Sequence, residues 1–381
     1  MRLPNAYVIG AGMVPFGRHK ETPLSELAAR AISAALQDAD LEGHEIGAAY
    51  LGTQWGGSMA GQRALKHTGL LGIPILNVEN ACSSGSTALH LATQAVTTGL
   101  HDLVLVIGAD KLSTQSGPLP RHPEDFDGSF GMSPPALYAT RARRYMFEHE
   151  ATPEDMAMVC VKNRRHALDN PKALFQKEVT IDEVLASRMV ADPLTLLQCC
   201  ARADGAAAVI IANESWARKA SSAPIRILAS QLCSGRFRGD FRDMTTPEIT
   251  VRCAEMAYAE AGIGPSDIHL AEVHDAFSVA EMLYYEALGF CKRGAAKYLL
   301  REGATALGGV LPVNTSGGLM AKGHPPGATG IAQICEAVDQ LRGVAGKRQV
   351  VGARKALTHC TGGGVSGLDH GACTIHVLAS E

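Results

Sequence analysis

One cysteine stands at the start of a helical pattern, in the segment NVENACSSGSTALHLATQAV at residues 77–96. The neighbours of Cys82 are small polar residues and glycine, an unusual setting for a side chain that only fills a core. A helix from about Ser83 to Thr98 would direct backbone N–H groups and the positive end of its dipole at the sulfur, favouring the thiolate. We therefore predict that Cys82 is a nucleophile; the alternative is a small buried residue at a tight turn.

Two other segments offer groups that could serve such a nucleophile. His324 lies between glycine and two prolines in GGLMAKGHPPGATG, and this rigid flank would fix an imidazole that takes a proton from Cys82 or donates one to an oxyanion. In HCTGGGVSG, Cys360 could move a proton while the glycines that begin at Gly362 aim a backbone N–H at a carbonyl oxygen. The alternative for His324 is a loop histidine without a chemical role, and a glycine run alone is weak evidence.

A histidine and an aspartate form the last group, in EVHDAFSVAEMLYYEALGF. His274 and Asp275 follow a short apolar strand and precede an amphipathic helix. Such a pair often caps a helix and contacts backbone, and this structural interpretation competes with a role in chemistry.

The elements that must position these groups alternate along the chain. Short β-rich runs such as AYVIGAG, DLVLVIGAD and AAAVIIAN are separated by helical patterns such as PLSELAARAISAALQDA, which predicts an α/β fold with helices covering sheet faces. The Cys82 and His324 segments also share one plan: Asn, a small-residue loop, an Ala-rich helix, a polar turn, and a segment reaching a Gly-Ala pair at 108–109 or 352–353. A duplicated fold with one catalytic residue in each half would explain this repeat; the alternative is coincidence between glycine-rich stretches.

The repeat predicts three parts of the chain. Residues 1–120, completed by 191–222, form the first half, and residues 223–381 form the second half. Between them, residues 121–190 carry more charge, proline and aromatic side chains, and we expect an inserted loop domain there. The change from one half to the other falls in a short Ser/Pro-containing stretch at 221–224.

The composition disfavours several classes of partner. With 46% hydrophobic and 19% charged residues the chain is typical of globular proteins, and its net charge of -3 shows no basic footprint for nucleic acid or an anionic membrane surface. Apolar runs such as DLVLVIGA are shorter than a membrane span. The first residues, MRLPNAYVIGAG, lack a cationic-then-apolar export signal, which favours a cytoplasmic protein.

The ten cysteines do not indicate disulfides or zinc. They are scattered through a chain much longer than a disulfide-stapled domain, no CxxC occurs, and no Cys/His cluster has zinc-ligand spacing. The adjacent Cys199 and Cys200 lie in an apolar run, where a place in the core is the favoured interpretation. We therefore expect a reducing compartment and no metal site.

Taken together, the chemistry-bearing segments resemble the thiolase family of acetyl-CoA acyltransferases and acetyltransferases. The matching features are NACSSGSTAL, HDAF, NTSGGLMAKGHPPGATG and CTGGG, in this chain order, with DGAAAVIIA at 204–212 in support, so the resemblance covers essentially the whole chain. HDAF is most similar to the sterol-carrier-protein-type branch. Members of that branch often have HDCF and lack a cysteine in the C-terminal glycine motif, whereas here Ala276 replaces the first cysteine and Cys360 supplies the second.

The resemblance implies a role for each matched residue. Cys82 is then the acylated nucleophile, His324 its base and a donor in a first oxyanion hole, and Cys360 the acid or base at the substrate α-carbon. His274 helps to hold a water in the first oxyanion hole, and the backbone N–H groups of Cys82 and Gly362 form the second. The implied activity is CoA-dependent Claisen condensation or thiolytic cleavage of a 3-oxoacyl-CoA through an acyl-cysteine. Coenzyme A and its thioesters are substrates, with no bound cofactor or metal.

The family also implies architecture and partners. The expected fold is a five-layer αβαβα sandwich of two similar halves with an inserted loop domain, assembled into dimers or tetramers. Relatives of this branch sometimes work beside a small OB-fold protein. Two other activities remain open: a thiolase-like acyltransferase or retro-aldol lyase acting on a CoA thioester, and a non-catalytic acyl-CoA-binding subunit. Retention of Cys82, His324 and Cys360 argues for Claisen chemistry.

The residues that bind the CoA phosphates and the acyl chain are less evident from the sequence. Several basic side chains are candidates for the phosphates, although a solvated surface charge is the favoured interpretation of each. They are Arg141, Arg143, Arg144, Arg164, Arg165, Arg236 and Arg238. Met132, Tyr138 and Tyr145 of the inserted segment are candidates for an acyl tunnel, with ordinary packing as the alternative.

Overall fold

The computed structural model describes residues 5–115, 124–237, 243–365 and 370–380. The first half of the chain supplies five strands of the main sheet and four helices. They are β1 (Ala6–Met13), α1 (Leu24–Ala39), β2 (Ala48–Gly52), α2 (Ala60–Lys66), β3 (Ile75–Val78), α3 (Ser84–Thr97), β4 (Leu103–Lys111), and, after the inserted segment, β7 (Asp204–Asn213) and α8 (Glu214–Ala217).

The inserted segment and the second half supply the remaining elements. The segment predicted as an insert, residues 121–190, contains α4 (Phe126–Ser129), α5 (Pro134–His149), α6 (Pro153–Leu168) and α7 (Ile181–Ala186). A hairpin of β5 (Met189–Ala191) and β6 (Leu194–Thr195) crosses the predicted boundary at residue 190. The second half contains β8 (Ile225–Ser234), α9 (Glu248–Ala261), β9 (Leu270–Glu272), α10 (Ser278–Ala287), α11 (Ala296–Arg301), α12 (Gly318–Ala321), α13 (Pro326–Leu341), β10 (Lys355–Gly362) and β11 (Ala372–Ala379).

The two halves repeat one pattern of strand pairing. The strand order of the main sheet is β3-β2-β4-β7-β1-β8-β11-β10-β9, so strands of the first half lie on one side of the β1/β8 contact and strands of the second half on the other. In the first half, β1 pairs antiparallel with β7, β7 antiparallel with β4, and β4 parallel with β2. In the second half, β8, β11, β10 and β9 pair in the same three ways. This agreement confirms a thiolase-like fold of two similar halves.

Three cores separate the layers. Helices α1 and α2 cover one face of the first-half strands, and α9 and α10 pack on the outer side of the second half together with the inserted helices. Helices α3 and α13 contact each other and share the middle core with strands of both halves. In β2, Ala49 and Leu51 enter one core while Ala48 and Tyr50 enter the other, as the alternation of side chains along a strand requires. The order of layers is therefore helix, sheet, helix, sheet, helix.

The repeat is offset from the one that the sequence predicted. Residues 108–109 lie inside β4, but residues 352–353 lie in the turn that precedes β10. In the second half, the strand that pairs in the same way as β4 is β10. The residues equivalent to the Gly-Ala pair at 108–109 therefore lie further along the chain than residues 352–353. The error arose because α13 is followed by a short 3₁₀ turn at Gly346–Arg348 before the chain reaches the sheet. In the part of the chain that the structure describes, no helix has the length and apolarity needed to cross a membrane.

Candidate active site

The nucleophile and the base come from equivalent points of the two halves. Cys82 lies two residues before α3 begins, and His324 lies two residues before α13 begins. The two helices are neighbours in the middle layer, and their amino ends bring the Cys82 Sγ and the His324 Nε2 to 3.2 Å from each other. The structure therefore confirms the predicted helix after Cys82 and places its sulfur within hydrogen-bond reach of the imidazole.

Glycines permit this close approach of the two helices. A Cβ on Gly85 would lie 2.2 Å from the backbone oxygen of Gly327, and a Cβ on Gly330 would lie 2.6 Å from the Cβ of Ser86. Side chains at these positions would force the helix ends apart. The buried carboxylate of Asp110, at the end of β4, also holds α13 in place by accepting the backbone N–H of Gly327 at 2.6 Å.

The turn that carries the nucleophile has an unusual backbone. Ala81 has a φ of 49°, in the left-handed region that residues with a Cβ rarely adopt. The hydroxyl of Ser84 donates to the Ala81 carbonyl at 2.5 Å and accepts the backbone N–H of Asn80 at 2.9 Å. These contacts hold the turn in a conformation that presents the Cys82 sulfur to His324.

The hydrogen bonds around His324 fix its tautomer. Its Nδ1 lies 2.7 Å from the Oγ1 of Thr329, and that hydroxyl donates its single proton to the Pro325 carbonyl at 3.0 Å. Thr329 must therefore accept a proton from Nδ1, which leaves the lone pair of Nε2 directed at Cys82. Thr329 orients the base for proton removal, a role that the motif GHPPGATG did not reveal on its own.

A second thiol lies on the other side of the nucleophile. The Cys360 Sγ, near the end of β10, donates to the Cys82 carbonyl at 3.1 Å and lies 3.3 Å from the Nδ1 of His274. The rings of His274 and His324 meet edge to face with centroids 5.1 Å apart. The structure thus brings together the four side chains that the sequence singled out.

Burial shifts the pKa of each of these four groups in the direction that favours its neutral form. Burial, assisted by the Asp110 carboxylate, raises the pKa of Cys82 to about 12, although the backbone N–H groups of Gly363 and Cys82 oppose this shift. Burial and the nearby Lys322 ammonium lower the pKa of His324 to about 3, and burial also holds the pKa of His274 well below its usual value. The expected stabilisation of a resting thiolate is therefore outweighed, and proton transfer to His324 must accompany attack on the substrate.

Alkylation of Cys82 by iodoacetamide should report this protonation state. A thiol whose pKa is raised to about 12 should react about tenfold faster for each pH unit between roughly pH 6 and pH 10, without a plateau. Peptide mass mapping would follow Cys82 among the ten cysteines, and Cys82→Ser would identify its peptide. A rate that is already constant below pH 7 would show instead a preformed thiolate-imidazolium pair.

Asp275 does cap a helix, but not the one that follows it in sequence. Its carboxylate accepts the backbone N–H groups of Leu319 at 2.7 Å and Met320 at 3.4 Å, at the short helix α12, and the side-chain amide of Asn163 at 2.8 Å. The capping interpretation is thus right for Asp275, whereas its neighbour His274 faces the site. The cap ties the His274 loop to the segment that leads to His324.

The same geometry forms a cluster that spacing in the sequence could not show. The ligand-type atoms of Cys82, His274 and His324 all lie within 4.8 Å of one another, a grouping that could also hold a metal ion. The absence of a metal site remains a prediction. Proton transfer from the Cys82 thiol to His324 is sufficient to explain why the lone pair of His324 Nε2 faces the sulfur.

A glycine of the CTGGG motif contacts the nucleophile directly. The N–H that contacts the Cys82 sulfur comes from Gly363, one residue beyond the predicted donor. Gly362 lies against the nucleophile turn, because a Cβ there would meet the Asn80 carbonyl at 2.0 Å. The donor role of the Gly362 N–H stays a prediction.

The arginines considered as ligands of the CoA phosphates fall into a buried group and an exposed group. Arg141 and Arg164 are not solvated surface charges, since they are 1% and 8% exposed and lie over the rings of Tyr138 and Phe175. The others described are exposed: Arg165 lies on the outer side of α6, and Arg143, Arg144 and Arg236 face Asp192, Glu148 and Glu248, respectively. Arg238 lies outside the described residues. The structure assigns no phosphate contact to any of them.

The three candidates for an acyl tunnel lie in different environments. Tyr145 belongs to the core and donates to Glu286, and Met132 is exposed. Tyr138 is buried and stacks on Phe277, next to the HDAF motif. Cys199 and Cys200 are partly buried, and Cys199 packs against the hydrophobic core, in line with the favoured interpretation. Their segment bridges the site loops: Cys200 donates its N–H to the Ala276 carbonyl at 2.8 Å, and the His324 N–H donates to Ala201 at 2.8 Å.

Comparisons with known proteins identify the family of this chain. The thiolase N-terminal domain model matches residues 6–215, and the thiolase C-terminal domain-like model matches residues 231–370. The chain therefore belongs to the thiolase family, whose members are acyltransferases that use CoA thioesters.

Relatives match over nearly the whole chain. It is 42% identical over 377 residues to the benzoylsuccinyl-CoA thiolase subunit BbsB of Thauera aromatica, covering 97% of this chain and 98% of that one. It is 40% identical over 382 residues to the acetyl-CoA acetyltransferase of Methanothermobacter thermautotrophicus, covering 98% of each. With human sterol carrier protein 2 the identity is 38% over 384 residues, covering 94% of this chain and 70% of the relative.

Solved structures agree with the fold. An Ltp2-ChsH2(DUF35) aldolase superposes with a TM-score of 0.87 at 28% identity, covering 100% of this chain and 99% of that one. Human mitochondrial 3-ketoacyl-CoA thiolase superposes with a TM-score of 0.73 at 20% identity, covering 100% of both chains. The second likeness supports the fold alone.

Proposed function

We propose that the protein cleaves a 3-oxoacyl-CoA with free CoA, or forms one by the reverse condensation, through an acyl group on Cys82. The observation that carries this proposal is the 3.2 Å contact of the Cys82 Sγ with the His324 Nε2, flanked by the second thiol of Cys360. A nucleophile, its base and a separate acid are the groups that such chemistry needs.

The cleavage half-reaction starts from the neutral Cys82 thiol and the neutral His324 imidazole. His324 takes the proton of Cys82 as the sulfur attacks the 3-oxo carbon, and the bond between C2 and C3 breaks. The electron pair of that bond remains as the enolate of the departing acyl-CoA, which takes the proton of Cys360 at C2. Donors that stabilise the two oxyanions contribute about 3 kcal/mol each. Burial raises the pKa of Cys360, so the group rests as the thiol that this direction requires.

The second half-reaction returns the enzyme to its starting state. The sulfur of CoA attacks the acyl group on Cys82, and the proton of the CoA thiol replaces the one that Cys360 lost. Cys82 leaves and regains its proton from His324. Bonds and protons balance without an external oxidant, reductant or metal.

The test is intact-mass analysis after incubation with acetyl-CoA, acetoacetyl-CoA or a long-chain 3-oxoacyl-CoA. The wild type should gain the mass of the acyl group and release CoA, and Cys82→Ala should do neither. Cys335→Ala is a matched control, because that buried thiol of α13 contacts the backbone carbonyls of Gly12 and Ala208. A wild type that forms no adduct and turns over no donor would reject the proposal.

A lyase is the second candidate function, because one of the similar solved structures, at 28% identity, is an aldolase complex. An aldolase would cleave a 3-hydroxyacyl-CoA without free CoA and without an acyl adduct. A partner protein belongs to this part of the proposal, because that relative is a complex with ChsH2(DUF35) and BbsB is named as a subunit. We further propose a homodimer or tetramer in the cytoplasm that acts in lipid metabolism such as fatty acid β-oxidation, with a small OB-fold protein as the added partner.

A further inference from the structure

Three side chains of metal-binding types meet at the nucleophile, although they are far apart in the sequence. The ligand atoms of Cys82, His274 and His324 all lie within 4.8 Å of one another. Among the described residues, no other group of three or more His, Cys, Asp or Glu side chains is arranged in this way. A thiolate and two neutral imidazoles are a set of ligands that zinc prefers.

The separations of these atoms fit a tetrahedral ion. With zinc–sulfur and zinc–nitrogen bonds of ordinary length, a tetrahedral site places sulfur and nitrogen about 3.6 Å apart and two nitrogens about 3.3 Å apart. The Cys82 Sγ and the His324 Nε2 are 3.2 Å apart, so this pair needs almost no movement. The ligand atom of His274 has to approach by about 1.5 Å at most, a shift within reach of side-chain rotation.

His324 is already held in the form that a metal ligand requires. A histidine that binds zinc through one ring nitrogen donates the N–H of the other nitrogen to an oxygen, which fixes its tautomer and orientation. The Oγ1 of Thr329 is that oxygen, 2.7 Å from the His324 Nδ1, and the lone pair of Nε2 faces the sulfur. The hydrogen bond that prepares the base for proton removal therefore prepares it equally for an ion.

The sulfur is the member of the group that solvent reaches. Cys82 is partly exposed, whereas His274 and His324 are 3% and 6% exposed. An ion from solvent therefore meets the sulfur first and the two imidazoles behind it.

The charges around the sulfur favour a cation. Burial and, after it, the carboxylates of Asp110 and Glu79 raise the pKa of Cys82. The Lys322 ammonium, which acts on the neighbouring imidazole, opposes a cation, but it is paired with the buried carboxylate of Glu272 at 3.5 Å. Two carboxylates thus act on the sulfur against one ammonium that already has a partner of opposite charge.

We propose that Cys82, His274 and His324 bind a zinc ion that inhibits the enzyme reversibly. On binding, the Cys82 S–H bond breaks, a zinc–sulfur bond forms, and the proton passes to solvent. The imidazoles donate their lone pairs, water completes the fourth position, and no group is oxidised or reduced. The sulfur can then no longer attack a substrate, and His324 can no longer take its proton.

The binding of the ion rests on this geometry, whereas its inhibitory effect rests on the proposed function. The zinc-free protein keeps a proton on Cys82 and uses it in the reaction, so the prediction that catalysis needs no metal is unaffected. An acyl group on Cys82 occupies the same sulfur. Acylated protein should therefore not bind the ion, and a higher concentration of acyl donor should relieve the inhibition.

The first experiment titrates the zinc-free protein with Co²⁺, a spectroscopic substitute for zinc. The wild type should develop a sulfur-to-cobalt charge-transfer band and the visible bands of a tetrahedral cobalt site. Cys82→Ala should lose the charge-transfer band, and His274→Ala should lose the tetrahedral bands. Cys335→Ala, which removes a buried thiol elsewhere on α13, and His44→Ala, which removes an exposed imidazole, are the matched controls and should keep both.

Thr329 provides a graded test of the same site. Thr329→Val removes the acceptor of the His324 N–H and should weaken cobalt binding about 10- to 100-fold, as the loss of such a supporting contact does in metal sites. Thr329→Ser keeps the hydroxyl and should bind cobalt as the wild type does.

The second experiment measures acylation of Cys82 by acetyl-CoA, followed by mass, with zinc chloride present. The acylation rate should fall in proportion to the fraction of sites that hold zinc, and a chelator should restore it. Magnesium chloride should have no effect, because Mg²⁺ prefers oxygen ligands.

The results separate the inference from the proposed function. A wild type without the two sets of cobalt bands, bands that persist in Cys82→Ala, or acylation that zinc does not slow would overturn the inference. If His274→Ala does not fold, as judged by its thermal unfolding, the two Thr329 variants decide, and equal cobalt affinities for them would count against the site. A zinc-free wild type that forms no acyl adduct would instead reject the proposed function, while the cobalt titration would still test the ion site.

Discussion

Cys360→Ala should abolish carbon-carbon bond cleavage while leaving the acylation of Cys82 intact. Loss of a positioned acid or base costs about 10²- to 10⁴-fold, and the Cys360 Sγ is the only thiol that the structure places on the Cys82 carbonyl within the described residues. The 3.2 Å contact of the Cys82 Sγ with the His324 Nε2 does not involve Cys360, so we expect this variant to retain it. The measurement is thiolysis of acetoacetyl-CoA, with the acetyl-enzyme formed from acetyl-CoA followed in parallel by mass.

The control for this variant is again a buried thiol that contacts backbone. Cys335→Ala removes a donor to the Gly12 and Ala208 carbonyls and should retain the wild-type thiolysis rate. If Cys360→Ala cleaves acetoacetyl-CoA at the wild-type rate, another group protonates the enolate, and His274 becomes the next candidate. If both rates fall together, Cys360 supports the nucleophile rather than the α-carbon.

Gly85→Ala should cost both stability and activity, because the added methyl group has no space. Its Cβ would lie 2.2 Å from the Gly327 oxygen, a backbone atom that cannot turn aside. Overpacking of this kind costs about 1–3 kcal/mol, and separation of the helix ends by about 1 Å can cost about 10²-fold in rate. The measurements are the urea midpoint of unfolding and the rate of Cys82 acylation.

Gly264→Ala serves as the matched exchange at a glycine with room for a methyl group. A Cβ there would meet only side-chain atoms, at 3.9 Å and beyond, and its φ of −116° suits any residue. Its unfolding midpoint and its acylation rate should stay near those of the wild type. A Gly85→Ala protein that acylates as fast as the wild type would show that the helices can separate without moving the Cys82 sulfur from His324.

The sequence predicted which side chains meet at the candidate site, because each lies in a local pattern. Cys82, His324 and Cys360 lie at a helix start, in a rigid turn and beside a glycine run, respectively. Such local features can be recognised from the sequence alone. Thr329 acts through a contact with the His324 ring, and the pattern GHPPGATG alone does not show which side chain of the following helix faces that ring. The protonation of Cys82 was misjudged for a similar reason: the dipole of a helix can be read from sequence, but the burial that opposes it cannot.

The fold was predictable in class and less so in detail. Alternating elements indicated two similar α/β halves, and the strand pairing bears this out. The repeat was offset after α13, because the 3₁₀ turn there has no counterpart between α3 and β4. Buried charges were the hardest to foresee: Arg141 is 1% exposed, and the Lys322 ammonium is held inside the protein by Ser316 and Glu272.

The placement of the nucleophile and its base in different halves has a consequence for the growing chain on the ribosome. Cys82 emerges early, whereas His324 and Cys360 are added some 240 to 280 residues later. The groups that influence the pKa of the Cys82 thiol likewise come from both early and late segments, since Asp110 belongs to the first half and the Gly363 N–H to the second. In the mechanism that we propose, an unfinished chain therefore carries a cysteine without a base, and Cys82 meets its base only when the second half docks on the first.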